Sequence, residues 1–80
     1  MVLNAAAEAL AARIRAWRAV EAKKLGVPAF VVLHDRSLTA VAQRCPRNPN
    51  QLLTIDGIGP AKVEKFGEAL LALCAGEPGS

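Results

Sequence analysis

The segment Ile55-Asp56-Gly57-Ile58-Gly59-Pro60-Ala61-Lys62 leaves the backbone one local course, a glycine-bracketed turn running into a helix. Pro60 has its φ preset for the first helical position and lacks only an N–H that a helix start leaves unpaired anyway. Gly57 and Gly59 permit positive φ and close backbone approach. Such a turn supports two readings. In one, free N–H groups at Gly59, Ala61 and Lys62, with the positive end of the helix dipole, favour an anion, and Lys62 adds a mobile charge. In the other, the glycines only make a tight corner between two helices. Local charge weakens the first reading, because Lys62 and Lys65 stand against Asp56, Glu64 and Glu68. The turn's surer role is to place two helices, with Lys62 as a secondary contact.

Eighty residues suffice for one domain with a small core. Apolar residues make up 52%, but 16 of them are alanine, which supplies helix propensity more than core volume. With few β-branched runs, the expectation is an all-α fold. No apolar run reaches transmembrane length, and Met1-Val2-Leu3-Asn4 has no basic stretch before its apolar residues. The chain therefore reads as cytoplasmic, with no membrane partner. Gly76-Glu77-Pro78-Gly79-Ser80 cannot continue a helix, so residues 1–75 are expected to form the domain and 76–80 a flexible tail. The whole resembles a module cut from something longer.

Periodicity and punctuation predict five helices. The first spans about Ala5 to Leu25, with Leu10, Ile14, Trp17 and Leu25 on one arc, and Gly26 closes it. Pro28 opens a helix of one to two turns through Ala29-Phe30-Val31-Val32-Leu33. Asp35 or Ser37 caps a third, in which Leu38, Val41, Ala42 and Cys45 share a face before Pro46 ends it. Asn48-Pro49 starts a short fourth helix carrying Leu52 and Leu53. The fifth begins at Pro60 and repeats Val63, Phe66, Gly67, Leu70 and Cys74 at helical spacing, with Gly67 where another helix packs close.

Chemistry-bearing residues are sparse. Cys45 and Cys74 have no CxxC spacing and no histidine nearby to complete a metal set, so they read as reduced, structural thiols with no metal or cofactor. His34 is the only histidine, and the sequence places no Ser or Cys nucleophile beside it. No catalytic residue is assigned.

The ordered motifs Ile14-Arg15-Ala16-Trp17-Arg18, Gly26-Val27-Pro28-Ala29-Phe30-Val31-Val32-Leu33, Asp35-Arg36 and Gly57-Ile58-Gly59, then Lys62 and Phe66-Gly67, carry a resemblance. With Ala22, Leu38, Pro46, Leu53 and Ile55 between them, they resemble the HRDC domain over roughly residues 10 to 74. That domain is the accessory module found after the catalytic core in RecQ helicases and RNase D, and the likeness is greatest to that of a bacterial RecQ helicase. The resemblance implies a compact five-helix bundle without catalytic residues of its own. It also implies binding to single-stranded or branched DNA, or contact with the catalytic core of the same polypeptide or a partner protein. A monomer is expected. A helix-hairpin-helix reading of Leu52 to Val63 fits the spacing, but its first helix is short and it leaves the upstream motifs unexplained.

Charge and aromatic residues narrow the site. Residues 13 to 24 hold Arg13, Arg15, Arg18, Lys23 and Lys24 against Glu21, yet on a helical wheel these cations surround the apolar arc and form no single stripe. Trp17 and Phe66 fall in apolar registers and read as core. Residues Ala29 to Leu33 step through about 400° on a helix, so a short surface element cannot turn all of them inward. Phe30 is therefore the candidate stacking ring, with Lys23, Lys24 and Arg36 flanking it in sequence. Members of the resembled family often carry tyrosine there. Phenylalanine keeps the ring and loses the hydroxyl, which implies weaker or less discriminating binding. The competing reading is protein docking through Glu64 and Glu68, four apart on one side of the fifth helix.

Overall fold

A computed structural model describes residues 4–76, so the expectations for Met1-Val2-Leu3 and for the tail beyond Gly76 lie outside the described residues. The elements are α1 (Ala5–Leu25), α2 (Ala29–Val32), α3 (Asp35–Arg44), α4 (Pro49–Leu53) and α5 (Pro60–Cys74). No strand occurs among the described residues. The expected all-α, five-helix architecture is what the chain adopts.

The cap residues explain where the helices start and stop. Asn4 opens α1 by accepting the Ala7 N–H at 2.7 Å. Gly26, left-handed at φ 69°, closes it, and the Gly26 and Val27 N–H groups bond back to the Lys23 and Ala22 carbonyls. This paired return satisfies the last carbonyls and aims the chain toward Pro28. Asn48 caps α4 by accepting the Gln51 N–H, while the Gln51 side chain accepts the Arg47 N–H.

Helix α1 packs on α2, α3 and α5, and α4 packs on α5. Leu10, Ile14, Leu38, Val41, Leu52 and Leu70 meet in one core, with Ala7, Ala11, Ala22 and Ala42 filling close approaches. Trp17 and Phe66 meet edge to face with centroids 5.5 Å apart, tying α1 to α5. The radius of gyration, 11.5 Å, is close to the ~12 Å expected for one packed unit of this length. At Gly67 a β-carbon would crowd Val63 Cγ1 of its own helix at 3.2 Å, while Leu52 Cδ1 of α4 lies at an ordinary 3.6 Å, so the expected close approach of another helix is not what requires glycine there.

Four expectations need correction. Leu25 and Leu53 are exposed, because each ends its helix beyond the reach of a packing partner. Neither Asp35 nor Ser37 caps α3. The helix starts at Asp35 after His34 with no side-chain cap, since the Asp35 carboxylate binds Arg18 and the Ser37 hydroxyl donates to the Asp56 carbonyl at 2.7 Å. Arg18 is no surface cation but a buried one. Finally, the two turn glycines differ. Gly57 is left-handed at φ 89°, whereas Gly59 is extended at φ −98°, ψ −179°.

That difference is testable. A β-carbon on Gly57 would meet the Ser37 hydroxyl oxygen and hold a disfavoured φ, while one on Gly59 meets nothing within 4 Å. Gly57→Ala should cost about 2 kcal/mol or more of unfolding free energy in urea, and Gly59→Ala under about 1 kcal/mol. Equal effects would show that the turn geometry is not the constraint.

Candidate nucleic-acid interface

Helix α2 is a single turn, too short to persist on its own. It is held by its last carbonyls. Arg18 Nη1, from α1, donates to the Leu33 carbonyl at 2.7 Å and to Asp35 Oδ1 at 2.8 Å. Lys62 Nζ, from the first turn of α5, donates to the Val31 and Val32 carbonyls at 2.9 and 3.0 Å. Two cations from different helices thus receive the negative end of α2. Val32 and Leu33 are driven into the core, and the opposite side of the turn carries Phe30 and Val31 outward.

Phe30 is 57% exposed. Its ring centroid lies 6.0 Å from that of His34 at a 35° tilt. With His34, Asp35, Arg36, Ser37, Asp56 and Gly57 it lines an open depression of about 420 Å³. Arg36 Nη1 meets Asp56 Oδ2 at 3.2 Å across this depression, both side chains being exposed. Two carboxylates and one guanidinium line it, so the depression does not attract phosphate.

Of the residues singled out in the sequence, Phe30 and Arg36 share this site. Lys23 and Lys24 do not line it. Both are exposed in the last turn of α1, the helix end leading through Gly26 and Pro28 into α2, and Lys24 lies 3.5 Å from Glu21. Lys62 is turned away from the glycine turn onto α2, so the proposed phosphate cradle lacks its mobile charge; two of the ammonium's three donors are already committed. Sequence reasoning missed the roles of His34 and Arg18. The signal for Arg18 was its position on the wheel, about 40° from Ile14 at the edge of the apolar arc, where an arginine drawn toward the core must find a partner.

The Arg18 hydrogen bond, and then its charge, hold the Asp35 carboxyl below the usual carboxylate range despite full exposure. A depressed acid contributes stability that is present above its unfolded value and lost as pH falls through its folded value.

With this geometry in place, the comparisons with known proteins agree on a family. A model of the HRDC domain matches residues 7–74. This chain belongs to the HRDC domain family. It is 39% identical over 69 residues to "ATP-dependent DNA helicase UvrD2" of Mycobacterium tuberculosis, covering 86% of the chain and 10% of that protein. It is 38% identical over 64 residues to "ATP-dependent DNA helicase RecQ" of Haemophilus influenzae, covering 80% of the chain and 10% of that protein. The corresponding match to RecQ of Bacillus subtilis is 39% over 59 residues, with coverage of 74% and 10%. The HRDC chain thus spans about one tenth of the length of these curated relatives. No described helix is long and apolar enough to cross a membrane.

Two predictions follow from the cation pair. Arg18→Met keeps an apolar stem but strands the buried Leu33 carbonyl, and should lower unfolding free energy by about 1–3 kcal/mol. In wild type, the Asp35 share of stability should be complete above about pH 4 and decline as acid protonates the carboxylate. Urea midpoints across an acid series should show that decline flattened in Arg18→Met. Lys62→Met should speed hydrogen exchange at the Leu33 amide, which bonds the Ala29 carbonyl, more than at Ile14 in the core of α1. Equal acceleration at both would mean Lys62 supports the fold generally and not α2.

Proposed function

We propose that this HRDC domain is a non-catalytic accessory unit of a RecQ-like DNA helicase that binds single-stranded or branched DNA weakly and modulates its parent. The observation that carries the reading is the Phe30 ring, held outward on a turn braced from α1 and α5. A rigid exposed ring offers stacking to any base, since every base has a π-face. The relatives, ATP-dependent DNA helicases by name, support a helicase parent over an RNase D-type nuclease.

The charge arrangement favours weak binding. A base entering beside Phe30 meets Asp35 and Asp56 as well as Arg36, so its phosphates are better placed outside the depression, toward Lys23 and Lys24. Few cations then neutralise phosphate, and affinity rests on the ring. A second reading, docking to the catalytic core or a partner protein, draws on the exposed apolar residues Val20, Leu25 and Val31 and on Glu64 and Glu68, exposed on α5.

Titration against labelled single-stranded, duplex and forked DNA at two salt concentrations separates these. Phe30→Ala should weaken single-strand binding by about 1–3 kcal/mol, roughly 5- to 150-fold, with the salt dependence retained. Lys24→Ala should flatten the salt slope by about 0.7 per lost phosphate contact. Undetectable binding of wild type at low salt would overturn the DNA reading and leave docking.

A further inference from the structure

The bundle brings together two thiols that lie 29 positions apart in sequence. Cys45 ends α3 in a left-handed conformation, φ 47°, the one described non-glycine residue with positive φ. This conformation is uncommon for a residue with a β-carbon. It aims the Cys45 thiol at the last turn of α5, where Sγ donates to the Cys74 carbonyl at 3.2 Å. Cys74 is buried beside it, while Cys45 remains partly open to solvent. Neither residue takes part in the DNA-binding reading.

We infer that Cys45 and Cys74 form an oxidative cross-link site, closed into an intramolecular disulfide by a small disulfide oxidant. The solvent-facing Cys45 is the entry sulfur. As thiolate it attacks one sulfur of the external disulfide, breaking that S–S bond, forming a mixed disulfide and releasing one small thiol. Cys74 then gives up its proton and its sulfur attacks the Cys45 sulfur, forming the Cys45–Cys74 bond and expelling the second small thiol. Two protein thiols are oxidised, and one external disulfide is reduced to two thiols.

The order of attack has a physical basis. Burial first, and then the charge and hydrogen bond of Cys45, push the Cys74 thiol up to about 12. Cys74 is therefore a poor first nucleophile. Once Cys45 carries the mixed disulfide its negative charge is gone, which removes one cause of that elevation. The second step is also intramolecular, between two residues already joined by the hydrogen bond from Cys45 Sγ to the Cys74 carbonyl. In a reducing cytosol the pair stays as thiols, so the cross-link marks exposure to oxidant and is no permanent staple. It would clip the end of α3 to the end of α5 and close a loop containing α4 and the glycine turn.

Treatment of the 80-residue chain with excess oxidised glutathione, near the ordinary thiol pKa of about 8.5, tests this. Intact mass should show loss of two hydrogens without an adduct, and non-reducing peptide mapping should join the Cys45 and Cys74 peptides. The melting midpoint should rise by about 10 °C and return on reduction. Cys45→Ser, at the more open position, should abolish both changes. A stable glutathione adduct at Cys45, a disulfide-linked dimer, or a wild-type chain left unmodified would each overturn the proposal.

Discussion

Everything on the Phe30 face depends on a buried arginine. Arg18 is buried at the edge of the apolar arc of α1, and a guanidinium there is tolerable only if its donors are met. The Leu33 carbonyl and the Asp35 carboxylate meet Nη1, although Nε finds no partner. The consequence runs outward from the core. Fixing Leu33 fixes the end of α2, and fixing Asp35 fixes the start of α3, so one side chain sets how the chain turns between them. Lys62 repeats the device from α5 on the two preceding carbonyls. A helix of four residues is thereby tied to both α1 and α5.

This arrangement changes the meaning of the net charge. A formal +3 invites a search for a basic face, but Arg18 is inside and Lys62 is spent largely on backbone. Arg36 is paired with Asp56 in a depression that also contains Asp35. What remains for a ligand at this face is mainly a ring. A ring without converging cations fits the weak, sequence-tolerant contact proposed above.

The helices were largely legible because their ends are punctuated. Gly26, Pro28, Pro46, Asn48-Pro49 and Pro60 each act through local backbone physics that tertiary context rarely overrides. Phe30 was legible for a related reason, since a single turn cannot bury every side. The roles of Arg18 and Lys62 were not. Both are long cations whose ordinary place is in water, and the groups that recruit them are backbone carbonyls, which leave no trace in residue identity. The same holds at Asp35 and Ser37, whose side chains look like caps but bond across the fold to Arg18 and to the Asp56 carbonyl. The reduced state of Cys45 and Cys74 was legible but their meeting was not, because motif spacing measures distance along the chain, while helix ends in a bundle meet regardless of it.

The smallness of the core explains why polar ties carry so much. A domain of this length buries only about 60% of the surface its unfolded chain exposes, and three of the residues in its buried cluster, Ala11, Ala22 and Ala42, contribute little side-chain volume. A cation on a helix-terminal carbonyl anchors that turn with directed bonds, two from Lys62 and one from Arg18 to the carbonyls of residues 31 to 33. The exposed ring and the buried arginine are therefore one solution: the anchor beneath the turn is polar, so the aromatic residue above it is left free of the core.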